Sequence, residues 1–304
     1  MRYNSYLKNT LRLKSSPLPA YLIIFLLALL CLGLTSCGSS SAQTDPSVDY
    51  TAAIQDAKTL TAAKIATNLT AIVPENANLI WENNVSGTRV LVATWIGNQA
   101  ACQSYLNPGT SGCKAGQECP SYGFNSWVTV VPELKRLLGN SPSLLRVGQA
   151  LGLPPPSTGQ TLENTCIVEM YVSPADLFRP SADPEVTDHE AELAFPAEGY
   201  RKFDDTLLVY SDMPCDARYC ATCTASGKCG MTSYRNWYIN RRTYIYAQTS
   251  VNSPFPWTAL GYTYDWGNPT PPHYGVSEFV INSGAAGIGV FIKSCNWTGA
   301  YFSN

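Results

Sequence analysis

Histidine is almost absent from this 304-residue chain, which has only His189 and His273. No second histidine lies one turn beyond His189-Glu190, so the HExxH zinc site of metalloproteases is excluded. Charge is scarce too: 14% of residues are Asp, Glu, Lys or Arg, against about 25% in an ordinary soluble domain. Beyond Arg241-Arg242 there is no basic cluster, hence no footprint for nucleic-acid phosphates, and no nucleic-acid partner is expected. The D-x-D-x-D-G calcium loop is missing, and no segment repeats. Nothing after Cys37 is long and apolar enough to span a membrane.

What is present begins with Tyr21 to Cys37, YLIIFLLALLCLGLTSC, preceded by Arg2, Lys8, Arg12 and Lys14 and by no acidic residue. A basic segment ahead of an apolar run of about 14 residues is the layout of a secretory signal. The run is shorter than the roughly 20 apolar residues of a comfortable permanent span. It ends in Leu34-Thr35-Ser36-Cys37, which resembles the lipobox of bacterial lipoproteins. The resemblance implies a signal peptide over 1–36, a diacylglyceryl thioether at Cys37, further acylation (palmitate, for example) and a cell-envelope address. Gly38 follows the cysteine, which in that family implies the outer membrane where the source is Gram-negative. Two or three acyl chains anchor far more firmly than one. Residues 37–48 then read as a flexible polar tether, and 49–304 as a single domain.

Loss of residues 1–36 removes those four basic residues and no acidic one, leaving 16 against 22 and a net charge of −6. Nine cysteines remain besides the acylated one: Cys102, Cys113, Cys119, Cys166, Cys215, Cys220, Cys223, Cys229 and Cys295. Outside the cytoplasm their default fate is disulfides. Nine is odd, so at least one thiol is left over. Local bridges are expected in the cysteine-rich loops at 97–124 and 211–232, with connectivity open. Cys166 and Cys295 lie in strand-like runs, as a buried pair or as two inert core thiols.

Apolar spacing through Ile54, Leu60, Ile65 and Leu69 predicts a helix over about 51–68. Strands are expected at 79–81, 89–96, 127–131 and 166–172. Helices are expected from Pro132 to Leu138, over 144–153 capped at Ser141-Pro142, and over 198–210. The stretch 234–247 reads as helix, although Thr243, Ile245 and Ala247 also alternate as in a strand. Residues 278–281 and 287–292 read as a closing hairpin. Helices and strands intersperse without a βαβ rhythm, so the expected class is α+β with a largely antiparallel sheet, flanking helices and disulfide-bearing loops.

Candidate chemistry is thin. Cys215-x4-Cys220-x2-Cys223 copies the leading spacing of plant-type [2Fe–2S] ligands. Cys229 follows too soon for the fourth ligand, and an unfolded exported chain carries no preassembled cluster. Disulfides are therefore expected there, with no metal and no cofactor. Gly275-Val276-Ser277-Glu278-Phe279 begins like a nucleophile elbow but lacks the closing glycine. Two acidic groups remain: the loop holding Arg179, Asp183, Glu185, Asp188 and Glu190, and the set Asp265, His273 and Glu278. Paired carboxylates serve acid/base cleavage of glycans or bind Ca²⁺; the bland alternative is solvated loops in which Asp and Ser cap turns. Trp257, Tyr262, Tyr264 and Trp266 alternate in a stretch dense in aromatics. Exposed, they stack on sugar rings; buried, they are core.

The segments CIVEMYVSPADLFRPSADPEV and PFPWTALGYTYDWGN resemble parts of uncharacterised exported bacterial proteins, a resemblance that implies no activity. The expectation is therefore a lipid-anchored envelope lipoprotein with a binding or structural role, contacting cell-wall glycan or another envelope component. An exported hydrolase using Asp265, His273 and Glu278 is the alternative.

Overall fold

Strict alternation of buried side chains builds the centre of the molecule. In β1 (Val90–Ile96), Val90 and Val92 enter one core while Leu91 and Ala93 enter another on the opposite face. β4 (Cys166–Val172) does the same, with Val168 and Met170 on the first side and Ile167 on the second. The computed structural model describes residues 46–96, 116–120, 125–156, 166–195, 207–247, 254–282 and 288–303, and the observations below concern these.

Five further strands complete this sheet: β2 (Gln117–Pro120), β3 (Ser126–Val130), β5 (Leu177–Phe178), β10 (Phe279–Ile281) and β11 (Gly289–Trp297). Their order is β2-β11-β4-β1-β3-β10-β5, and each neighbouring pair is antiparallel. A bulge between Ile292 and Ser294 shifts the register of β11, so that Val290, Ile292 and Cys295 all reach the same core. Ile72, Leu79, Trp81 and Val186 close that face. Two hairpins stand apart: β6 (Leu208–Pro214) with β7 (Lys228–Ser233), and β8 (Tyr262–Tyr264) with β9 (Tyr274–Ser277).

The helices are α1 (Pro46–Lys58), α2 (Glu133–Leu138), α3 (Leu144–Ala150), α4 (Tyr234–Tyr246) and α5 (Thr298–Ser303). α4 starts where Ser233 Oγ accepts from Asn236 N–H and buries Tyr234, Trp237, Tyr238 and Ile245 as one stripe. Trp237 packs edge-on against Phe178, with centroids 4.9 Å apart, and its Nε1 donates to Asn125. The class is α+β, as expected, and among the described residues no helix is long and apolar enough to cross a membrane.

Several local expectations are corrected. α1 ends at Lys58, well short of 68, because Lys64 folds back and donates to the carbonyls of Asp56 and Thr59. α3 is capped by Ser143, whose Oγ accepts from Arg146 N–H, instead of Ser141-Pro142. Residues 208–210 belong to β6, not to a helix; 196–206 lie outside the described residues. β10 and β11 do not form a hairpin, since β4, β1 and β3 separate them in the sheet.

The β6–β7 connection carries two disulfides, Cys215–Cys223 and Cys220–Cys229, with Cα separations of 5.6 and 5.1 Å. The loop has no apolar core of its own, and the crossed bridges hold it. Cys166 is also disulfide-bonded, with a partner outside the described side chains. It does not pair with Cys295, which keeps its thiol with Sγ 3.3 Å from that of Cys166. Burial pushes the Cys295 thiol up to about 11, so it stays protonated and unreactive. Cys102 and Cys113, and the side chain of Cys119, lie outside the described residues.

β8–β9 is stitched to α3 by Thr263, whose Oγ1 donates to Ala150 O and accepts from Val276 N–H. Gly275 must be glycine there. A Cβ would overlap Thr263 Oγ1 and sit 2.6 Å from the carbonyl oxygens of Ala150 and Thr263. Two of these three neighbours are backbone and cannot swing aside. Gly275→Ala is expected to destabilise the domain by about 1–3 kcal/mol, the usual cost of overpacking, measured as a lower urea midpoint at unchanged slope.

Candidate functional site

The aromatic stretch is core. Trp257, Tyr262, Tyr264 and Trp266 are only 2, 2, 5 and 7% exposed, so of the two readings the core one holds and these four candidates offer no face for a sugar. Their polar ends are used internally: Tyr262 OH donates to Lys64 O, Tyr264 OH to Asp56, and Trp266 Nε1 to Leu153 O. Trp266 meets Tyr50 edge-on at 5.4 Å, so these rings seat α1 on the β8–β9 hairpin.

The Asp265, His273 and Glu278 side chains are likewise committed elsewhere. Buried Asp265 receives both arms of Arg146 at 2.7 and 2.6 Å and also accepts from Gly267 N–H. His273 donates from Nδ1 to Asn268 O and stacks on Tyr264. Glu278 lies beside Trp257; its Oε2 is sealed from water without a hydrogen-bond partner, and burial pushes its carboxyl up to about 8. No hydrogen bond joins the three side chains to one another, so no acid/base constellation is assembled among them.

The first acidic loop has a different centre. Arg179 is fully buried, and its Nε donates to Glu185 O while Nη2 donates to Asp188 O at 2.9 Å. Its stem lies against Gly261, where the backbone is left-handed at φ 73° and a Cβ would meet Arg179 Cδ at 2.6 Å. Above the guanidinium, carboxylate oxygens of Asp183, Asp188 and Glu192 lie within 4.8 Å of one another. Burial and the neighbouring Asp183 and Asp188 push Glu192 up to about 7. Burial also raises Asp188, with Arg179 opposing. Arg179 is the cation facing the trio, 3.6 Å from Asp188 Oδ1, so the cluster is a structural hub around a buried arginine. Glu185 is bound beside it: its Oε1 accepts from Thr187 Oγ1, while Asp183 Oδ1 accepts from Glu185 N–H.

A cleft opens beside this hub. It has a volume of about 440 Å³ and is lined by Asn68, Leu69, Thr70, Asn76, Asn78, Glu133, Arg136, Leu137, His189 and Gly275, a size suited to a small polar ligand. None of Asp183, Glu185, Asp265, His273 and Glu278 lines it. Its floor is a network across the fold: Glu133 Oε1 accepts from Ser277 N–H at 2.8 Å and Ser277 Oγ at 3.0 Å. Glu133 Oε2 accepts from Thr70 Oγ1, and Thr70 N–H donates to Ser277 Oγ. Ser277 is thus a buried joint, not a nucleophile held by a base. His189 donates from Nδ1 to Leu69 O at 2.8 Å, because a carbonyl only accepts, which leaves Nε2 for a ligand. No motif in the chain marks Glu133, Arg136, Asn68 or Asn78. No family model, curated protein or solved structure matches the chain.

Proposed function

We propose that this chain is an exported lipoprotein, held in the cell envelope through lipid on Cys37, whose domain binds a polar envelope component. Cell-wall glycan is the first choice, and the Glu133–His189 cleft is the place. The observation that carries the reading is the basic, then apolar, leader running into Leu34-Thr35-Ser36-Cys37. Two supports come from the domain. Its described disulfides suit an oxidising compartment. Its cleft is polar and open, whereas its candidate catalytic groups are spent on holding the fold.

Labelled palmitate fed to cells making the protein is expected to enter the full chain, which should fractionate with membranes. Cys37→Ala should take up no label and leave the membrane fraction. Label in both, or in neither with the protein soluble inside the cell and its thiols reduced, removes the anchor and the envelope role together.

A further inference from the structure

We infer that the cleft is built for a carboxylate-bearing sugar, with Arg136 as the residue that reads the acid group. This rests on the glycan-binding reading above and names the class of sugar. Some of the polar groups lining the cleft already have partners. Glu133, the one acid in the lining, has both oxygens occupied by Ser277 and Thr70. Asn76 is occupied too: its Nδ2 donates to Ala71 O and its Oδ1 accepts from Asn78 N–H.

What remains for a ligand is the donor fork of Arg136 together with groups that accept as well as donate. The Arg136 guanidinium has no ion pair or hydrogen bond among the described residues, and neither do the side-chain amides of Asn68 and Asn78. His189 offers Nε2. Arg136, one turn along α2 from Glu133, is the one cation in the lining, and its guanidinium is left open to a ligand while both Glu133 oxygens are taken up by neutral donors. A ligand that satisfies this set offers an anionic group to Arg136 and hydroxyl or amide groups to the asparagines and to His189 Nε2, and the fork of a guanidinium matches a planar carboxylate in two parallel hydrogen bonds. Phosphate fits less well: Asp188 and Glu190 flank His189, and a single arginine does not balance a dianion beside them. Asn68 and Asn78 suit the hydroxyl and N-acetyl groups of a sugar, donating to one and accepting from the other.

N-acetylmuramic acid and N-acetylglucosamine form a matched pair, since the first adds a lactyl ether with its carboxylate to the second. Calorimetric titration of the full domain is expected to show the acidic sugar binding about 10- to 100-fold more tightly, the yield of a charge-assisted pair. Arg136→Gln should abolish that preference while leaving the unfolding midpoint unchanged, because Arg136 is exposed. Equal binding of the two sugars, or a preference that survives Arg136→Gln, overturns the inference. So does tighter binding of inorganic phosphate than of the acidic sugar. If neither sugar binds, the inference falls as well. Co-sedimentation with purified cell-wall sacculi then decides the parent reading: pelleting keeps glycan binding, and its absence ends both.

Discussion

Arg179→Met is expected to destabilise the domain by about 3–5 kcal/mol, the cost of removing one partner from a buried charge network. Arg179 is 0% exposed and ties together segments that share no strand. Its guanidinium donates to Glu185 O, Asp188 O and Thr70 O and packs over Phe279, 5.4 Å from the ring centre. Methionine fills most of the volume, so lost packing contributes little. The loss comes from three orphaned carbonyls and from Asp183, Asp188 and Glu192 left without their cation. The effect should therefore depend on pH. Arg179 is what opposes the upward shift of Asp188, so without it the folded-state pKa of the cluster rises further. Folding then takes up protons, and the variant regains stability as pH falls. Urea unfolding at pH 5 and pH 8 checks this: the deficit should be larger at pH 8. A deficit below about 1 kcal/mol at both values would show that the arginine is not the hub its contacts describe.

How much of this could be read from the chain alone follows from the range of the interactions. β1, β3 and β4 were legible because each is a short run rich in apolar and β-branched residues, as a strand buried on both faces requires. α4 was legible because Tyr234, Trp237 and Tyr238 already form a stripe at helical spacing. The supposed hairpin at 278–292 failed for the opposite reason. Which strands β10 and β11 choose as neighbours is decided by β3, β4 and β5, over a hundred positions away or more, and not by the turn between them. The aromatic stretch shows the same limit. Alternation identified Tyr262 and Tyr264 as a patterned segment, but their burial depends on Asp56 and Lys64 at the other end of the chain. The cleft was the least legible part. Glu133 meets Thr70 and Ser277 across separations of 63 and 144 positions, and no spacing rule links such residues. Arg179 was noticed only as one charge in an acidic loop; that it is the buried centre of the loop is a property of the packing.

Glu278→Gln should flatten the decline in stability that the natural chain shows from weakly acid to alkaline pH. Burial raises the Glu278 carboxyl from 4.5 to about 8, with the Trp257 side chain opposing in part. The folded state therefore holds a proton that the unfolded chain releases between these values. Stability contributed by the protonated group is fully present below the unfolded pKa and is lost as pH rises through the folded one. At about 1.4 kcal/mol per unit, the swing is on the order of 4–5 kcal/mol by pH 9. Glutamine keeps the shape and cannot ionise. The variant should match the natural chain near pH 5 and exceed it by roughly 3–5 kcal/mol at pH 9. A smaller decline ending near pH 7 should persist in the variant, because Glu192 is raised to about 7 in the same direction. Asp56 and Asp216, whose values are lowered, act only at more acid pH and stay out of this window. Denaturation at pH 5, 7 and 9 tests the claim. Parallel curves for the two proteins would mean that the Glu278 carboxyl is not kept protonated by its surroundings.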